Sequence, residues 1–254
     1  MVCSPRTHRG LVGRLGNLTE LSAFSLDYRL GPEHPWPCAG NDAIRGYRWL
    51  LSQGYRAEDI VIAGDSAGGH LALDILAVNH ATRTPQPGSM VLFSPPLYDP
   101  TFDLAVDNQR SGVHDPIINA ITARKILRLY TRTADPDHPR MRIRLTPPEM
   151  TLPKTLIQYG SLEVMGADAR ATHDEIVGAG GVSVIQAWPD QGARVPADAA
   201  VVLGGPAGGG DRGPVHHRHG AHPDRVGELS VDELVTAVVV DDHPFFRDGG
   251  VAGV

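Results

Sequence analysis

Short apolar runs alternate with amphipathic segments along residues 1 to about 192. The apolar runs, which are typical of buried strands, are 23–28, 59–64, 89–96, 154–161 and 182–189. The segments with helical spacing that lie between them are 41–54, 67–81, 118–132 and 168–181. The first of these helices is predicted to have Asn41 or Asp42 as its N-cap. Because strands and helices alternate, the chain is predicted to form an α/β fold with a mostly parallel, doubly wound sheet.

This pattern ends at Gly192. Residues 193–230 hold eight glycines, four prolines and the histidine-rich run VHHRHGAH, and neither strand nor helix spacing continues for long. We expect this segment to be a disordered or irregular tail. Residues 231–254 contain one further strand pattern, TAVVVDD. The sequence therefore predicts three parts: a domain over 1–192, a tail over 193–230 and a short fragment over 231–254.

Composition narrows the class of protein. The 254 residues are 41% hydrophobic and 20% charged, which is ordinary for a globular protein. A net charge of −6 gives no reason to expect a nucleic-acid partner. No apolar run is long enough for a membrane span, and the N-terminus shows no signal peptide. Since the two cysteines, Cys3 and Cys38, cannot form a disulfide framework, we predict a cytoplasmic location.

Residues 64–68 read Gly-Asp-Ser-Ala-Gly at the junction of a predicted strand and a predicted helix. Such a junction is a tight turn, and its glycines are needed where the backbone approaches too closely for a Cβ. The turn would lift the Ser66 hydroxyl above the sheet and place the Ala67 N–H at a helix N-terminus. We predict Ser66 as a nucleophile and the Ala67 N–H as an oxyanion-hole donor. The alternative is a glycine-rich helix start with an idle serine.

Two stretches, DYRLGPEHPWP (27–37) and GDSAGGHLAL (64–73), resemble the bacterial hormone-sensitive-lipase family of α/β-hydrolases. The resemblance extends to TLPKTLIQYGSLEV and VIQAWPDQG, so it covers roughly residues 4–192. It implies an α/β-hydrolase fold and the hydrolysis of small acyl esters by a nucleophilic serine, without a cofactor. It also implies that residues 112–150 are the remnant of a cap over the site.

The resemblance places the catalytic acid in the segment YGSLEVMGADA, residues 159–169. Glu163 falls on the family's Asp or Glu position, where it would orient an imidazole and stabilise its charged form. Asp168 is a second candidate for that role. The alternative for Glu163 is an ordinary solvated loop carboxylate.

The family's histidine would follow the last strand in a pattern like WPDQGH, but this chain reads WPDQGA, with Ala193 in that place. Because a serine hydroxyl is a poor nucleophile without a base, we expect impaired activity. A catalytically inactive hydrolase-like protein is the alternative function. A one-base frameshift would account for the difference: GCA CGT GTT CCA, which encodes Ala-Arg-Val-Pro as in 193–196, contains CAC GTG TTC when read one base later.

The resemblance also implies that the family's His-Gly-Gly-Gly loop, another source of oxyanion-hole donors, would lie upstream of Met1. We therefore expect a domain truncated at its N-terminus. Missing strands would leave a sheet edge exposed, through which the chain is predicted to self-associate.

Further histidines are candidates for a substitute base or for metal ligands. His173 is expected on a helix surface, and His70 is expected to be structural. The remaining candidates, in the tail, are His216, His217, His219 and His222. Since no carboxylate or cysteine completes a ligand set beside them, no metal site is predicted.

The stretch TAVVVDDHPFFRDG (236–249) resembles the beginning of a response-regulator receiver domain. In that family paired acids after the first strand bind Mg²⁺, and Asp241 and Asp242 match them. The resemblance covers about two dozen residues and does not reach a phosphoacceptor strand. A signalling function is therefore a third and weaker hypothesis.

Overall fold

A computed structural model describes residues 5–95, 101–132, 134–145, 150–192 and 236–242. The helices in these ranges are α1 (Pro5–Thr19), α2 (Cys38–Ser52), α3 (Ala67–Thr82), α4 (Asp103–Arg110), α5 (Ala120–Thr131) and α6 (Gly166–Gly178). The strands are β1 (Ser22–Ser25), β2 (Ile60–Ser66), β3 (Ser89–Phe93), β4 (Lys154–Gly160), β5 (Ser183–Trp188) and β6 (Thr236–Asp242). None of the described helices is long and apolar enough to cross a membrane.

The strands form one six-stranded sheet in the order β1-β6-β2-β3-β4-β5. Every neighbouring pair is parallel, which confirms the predicted α/β fold with a parallel sheet. Strand β6, the last of the described strands, lies between the first two: Val239 of β6 is in register with Ser25 of β1 and with Ala63 of β2. The predicted TAVVVDD strand is therefore part of the same sheet as the nucleophile turn.

Each face of the sheet has its own core. Alternate residues of the central strands, such as Ile62 of β2 and Leu92 of β3, pack with helices α2, α3 and α6. The residues that point the other way, such as Ala63 and Phe93, pack with Leu15 of α1. Because both faces are covered, the central strands are apolar at successive positions rather than at every second one.

A smaller apolar cluster lies beside the segment that follows β4. Phe102 and Val106 of the α4 region, Ala123 of α5, and the pair Val164 and Met165 share it. Helix α5 begins at Ala120, two residues after the start of the predicted segment 118–132, because the Asn119 carboxamide caps it by accepting a hydrogen bond of 3.0 Å from the Thr122 N–H. This cluster connects residues of the predicted cap segment, 112–150, to the loop that holds Glu163.

Helix α2 departs from its prediction at its N-terminus. It begins at Cys38, so Asn41 and Asp42 lie inside the helix and neither is its N-cap. The Asp42 carboxylate instead accepts hydrogen bonds of 2.8 Å from the Arg29 guanidinium. This pair fixes the DYRLGPEHPWP segment against α2, and the side chain is therefore used for tertiary contact.

A buried ion pair joins α2, α3 and the segment after α5. The Arg140 guanidinium donates two hydrogen bonds, of 2.8 and 2.7 Å, to the Asp74 carboxylate, and a third, of 2.8 Å, to the Asn41 side-chain oxygen. The Asp74 side chain is 2% exposed. A carboxylate so buried depends on its partner, because water cannot replace it.

Removing the arginine alone is expected to be costly. Arg140→Met should lower the free energy of unfolding by about 3 kcal/mol or more, since it leaves the Asp74 charge buried and unpaired. The double variant Asp74→Leu/Arg140→Met should recover most of that loss. Urea unfolding of the three proteins checks this, and an Arg140→Met variant as stable as the parent would show that the pair does not hold the helices together.

Candidate active site

Ser66 stands at the turn between β2 and α3. It is the N-cap residue of α3, with φ 49° and ψ −126°, a backbone conformation that a residue other than glycine seldom adopts. The turn is tight because a Cβ on Gly64 would overlap the backbone of Gly68. Such strain persists only where the surrounding structure imposes it, and it is frequent at functional positions.

The serine is held at the carboxyl edge of the sheet, with 3% of its surface exposed. The neighbouring Ala67 is the first residue of α3, a helix of 16 residues, so its N–H lies at the positive end of the helix dipole. On the other side, Asp65 is paired with His8 of α1, whose Nε2 lies 3.3 Å from the carboxylate. The register partner of Ser66 on the neighbouring strand is Asp242.

Glu163 lies in the loop after β4 and is 1% exposed. Its Oε1 accepts a hydrogen bond of 2.7 Å from the Ser94 hydroxyl and one from the Gly160 N–H. Its Oε2 is buried and has no hydrogen-bond partner among the residues that the structure describes. The solvated-carboxylate interpretation of Glu163 is therefore wrong.

Burial raises the pKa of Glu163 to about 8. The hydrogen bonds from Gly160 and Ser94 act in the opposite direction and favour the ionised form, while the charge of Asp115 adds to the increase. Both hydrogen bonds are made to Oε1, and they do not compensate for the removal of the entire Glu163 carboxylate from water. The site thus holds a carboxyl group that a positively charged neighbour would ionise.

This pKa has a consequence for stability. In the unfolded chain Glu163 has its ordinary value of 4.5, so the folded state binds the proton more tightly. The resulting stabilisation is complete below about pH 4.5 and is lost as the pH rises through about 8. Glu163→Gln, which cannot titrate, is expected to lose less stability than the parent between these limits.

Urea unfolding of the parent and of Glu163→Gln, at several pH values between about 4.5 and 8, measures this loss of stability. The limits are the pKa values of Glu163 in the unfolded and folded chain. Glu58→Gln is the matched control, because the side chain of Glu58 is 63% exposed. Identical pH dependence in the parent and Glu163→Gln would contradict the raised pKa.

The turn after β5 packs directly on the Glu163 loop. The Leu162 N–H donates to the Gln191 carbonyl at 2.9 Å, and the Asp190 N–H donates to the Ser161 hydroxyl at 3.0 Å. A Cβ on Gly160 would lie 2.5 Å from the carbonyl oxygen of Gly192, so only glycine fits where the two segments cross. Position 193 therefore directly follows Gly192, which packs against the loop that holds Glu163.

The candidate histidines are elsewhere. Within the described ranges no histidine hydrogen-bonds to Ser66 or Glu163. His173 Nδ1 lies 2.9 Å from the Ser183 hydroxyl, on α6 and partly buried. His70 is buried on α3, with 6% of its surface exposed. Ala193 and the four tail histidines, His216, His217, His219 and His222, lie outside the described residues.

Asp168, the second candidate acid, lies in the first turn of α6 and is fully buried. It forms contacts of its own. The geometry around Glu163, with one oxygen anchored and one without a donor, suits the orienting role better.

Two polar residues of the site were not predicted from the sequence. Ser94 directly follows β3, with a φ of 44°, and bridges to Glu163. Asp115 accepts hydrogen bonds from the N–H groups of Ile117, Ile118 and Val164, which ties the predicted cap segment to the acid loop. The sequence could have indicated Ser94, because it lies near the end of the predicted strand 89–96 and polar residues at the carboxyl ends of adjacent parallel strands meet at one edge of the sheet.

Among the described residues no group of three or more His, Cys, Asp and Glu side chains is arranged to hold a metal ion. Asp241 and Asp242, the acids of the receiver-like stretch, are placed by their backbone at the carboxyl end of β6.

Comparison with known proteins places this geometry in a family. A family model described as the α/β-hydrolase fold matches residues 1–193. The acetyl-hydrolase of Streptomyces hygroscopicus is 34% identical over 194 residues, which cover 74% of this chain and 62% of the relative. The carboxylesterase/phospholipase LipF of Mycobacterium tuberculosis is 33% identical over 197 residues, 75% of this chain and 52% of that protein.

Solved structures agree. An esterase from the bacterial hormone-sensitive-lipase family superimposes with a TM-score of 0.68 at 32% identity, over 75% of this chain and 63% of that one. An esterase/lipase from an uncultured bacterium gives a TM-score of 0.68 at 34% identity, with the same coverage of both chains. This chain thus spans between about half and two thirds of the length of these relatives.

Proposed function

The chain belongs to the α/β-hydrolase fold family, and from that premise we propose that its site is built for the hydrolysis of small carboxylic esters, with no base for the reaction among the described residues. Ser66 is the nucleophile and Glu163 the orienting acid. The observation that carries this proposal is the backbone of Ser66, held at a positive φ on a buried strand-to-helix turn. The names of the relatives, acetyl-hydrolase and carboxylesterase, support the substrate class.

In the proposed reaction the Ser66 hydroxyl attacks the acyl carbonyl carbon and gives its proton to a base. The Ala67 N–H, at the start of α3, donates a hydrogen bond to the oxygen that becomes negatively charged. Collapse of the intermediate releases the alcohol and leaves the acyl group on Ser66. Water then hydrolyses this acyl-enzyme and restores the serine.

The free oxygen of Glu163 indicates where the base belongs. Its Oε2 is buried and has no donor among the described residues, an arrangement that is costly unless a donor is supplied. An imidazole N–H placed there would satisfy this oxygen. Its positive charge in the reaction would also favour the ionised carboxylate.

Position 193 is suited to supply the imidazole, because it directly follows Gly192, and Gly192 lies close to Gly160 and Asp115. The residue at this position is alanine. A second candidate function, a hydrolase-like protein without turnover, is favoured by that residue alone. Neither candidate has a base among the described residues, and the two differ in whether Ser66 reacts once a base is supplied from solution.

Chemical rescue tests the proposal. A fluorophosphonate probe should label Ser66 slowly in the parent, and added imidazole should accelerate the labelling, because a free base can accept the Ser66 proton. Peptide mass spectrometry locates the label, and Ser66→Ala is the control. A folded parent whose Ser66 is unlabelled with imidazole present would contradict the proposed nucleophile.

A further inference from the structure

A cavity of about 390 Å³ lies between α5 and the segment that follows it. Three arginines, Arg124, Arg128 and Arg132, are among the residues that line it. Apolar side chains, including Leu127 and Met141, form much of the remainder. Neither Ser66 nor Glu163 lines it, so the cavity is distinct from the candidate active site. Its volume falls in the range of small-molecule sites, roughly 300–1,000 Å³.

The three arginines share one side of the helix because they are spaced four residues apart. Like charges at this spacing destabilise a helix, although Arg128 and Arg132 lie at the C-terminal end of α5, where the helix dipole favours positive charge. The neighbouring Lys125 is exposed and lies outside the cavity lining, so positive charge is found both inside and outside this lining.

Acidic groups compensate this charge in part. Arg124 pairs with Asp103 at 2.7 Å, and the Asp103 carboxylate also accepts a hydrogen bond of 2.6 Å from the Thr101 hydroxyl. The Thr101 hydroxyl, together with Arg124 and Arg128, holds the pKa of Asp103 below its usual range. Asp135 is exposed and adjoins the lining without being part of it.

The guanidinium groups of Arg128 and Arg132 are not used in ion pairs within the described residues. Both arginines are exposed at the cavity and offer planar donor groups, which match the two oxygens of a carboxylate or phosphate. Leu127, which is half-buried, and Pro136, which is exposed, provide apolar surface beside them.

We propose that this cavity binds an anionic amphiphile, a molecule with a carboxylate or phosphate head and a short alkyl chain. The head pairs with Arg128 and Arg132, and the chain packs on Leu127 and Pro136. Binding in this cavity does not depend on ester hydrolysis or on Ser66. The ligand class follows from the charged and apolar side chains that line the cavity.

Isothermal titration of the full chain with hexanoate, hexyl phosphate and hexanol tests this. Both anions should bind at least about tenfold more tightly than the neutral alcohol, and each should displace the other. The anion that binds more tightly identifies the head group. Hexanol binding equal to both anions, or the absence of binding by either anion to the folded chain, would overturn the proposal.

Variants locate the site. Arg128→Gln/Arg132→Gln should weaken anion binding by about tenfold or more, whereas Lys125→Gln, which removes a charge from the same helix outside the cavity, should leave it unchanged. Circular dichroism confirms that each variant is folded. Equal loss in both variants would mean non-specific attraction to a basic helix. Full binding by the double variant would place the ligand elsewhere, and either result overturns the proposal.

Discussion

Replacing Val239 with proline is expected to destabilise the whole domain, although this residue lies in the final strand of the sequence. Val239 is in register with Ser25 of β1 and Ala63 of β2, so β6 is an interior strand. Proline removes a backbone donor and is tolerated essentially only at sheet edges. We expect the free energy of unfolding to fall by about 3 kcal/mol or more.

The matched control is Asp248→Pro, which places the same residue beyond the end of β6 at Asp242. Urea unfolding and the soluble fraction after expression compare the two variants with the parent. If Val239→Pro were as stable as Asp248→Pro, β6 would not be holding β1 and β2 together, and the observed strand order would need revision.

Replacing Ala193 with histidine is expected to raise the hydrolysis of p-nitrophenyl butyrate by about 10²-fold or more, the usual contribution of a positioned general base. The reason is geometric. Position 193 follows Gly192, whose carbonyl oxygen lies against Gly160, and the Gly160 N–H holds Glu163. The Glu163 Oε2 has no hydrogen-bond donor among the described residues, so an imidazole N–H that reached it would be bound there.

The gain must depend on the serine and on the acid. Adding Ser66→Ala to Ala193→His should abolish it, and adding Glu163→Gln should reduce it, because the imidazole then loses its orienting carboxylate. The matched control is Ala197→His, which makes the same substitution at the next alanine along the chain. An equal gain with Ala197→His would contradict a specific role for position 193.

The periodic parts of the fold could be predicted from the sequence. The runs that became β2, β3 and β4 are apolar at successive positions because both sheet faces are covered, and that pattern is visible without a structure. The tight turn at Ser66 was predictable as well, since Gly64 is required by a close backbone approach that the structure contains. Helices α1 and α4 were not predicted, because their apolar positions are few.

The position of β6 could not be predicted. Its sequence specifies a strand, but the choice of neighbours depends on a gap between β1 and β2, which is a property of the assembled sheet. The partners of Glu163 were also beyond sequence reasoning. Ser94 is 69 residues away in the chain, and the two meet only because β3 and β4 are adjacent and parallel. Asp42, which the sequence suggested as a helix N-cap, instead forms an ion pair with Arg29.

The central claim is the proposal that Ser66 is a nucleophile for which the described residues provide no base. The most direct test is the initial rate of p-nitrophenyl butyrate hydrolysis by the parent chain, measured beside Ser66→Ala at equal concentration. We predict equal rates for the two proteins, close to the uncatalysed background. A parent rate well above that of Ser66→Ala would contradict the claim, because the chain would then already supply a base to its serine.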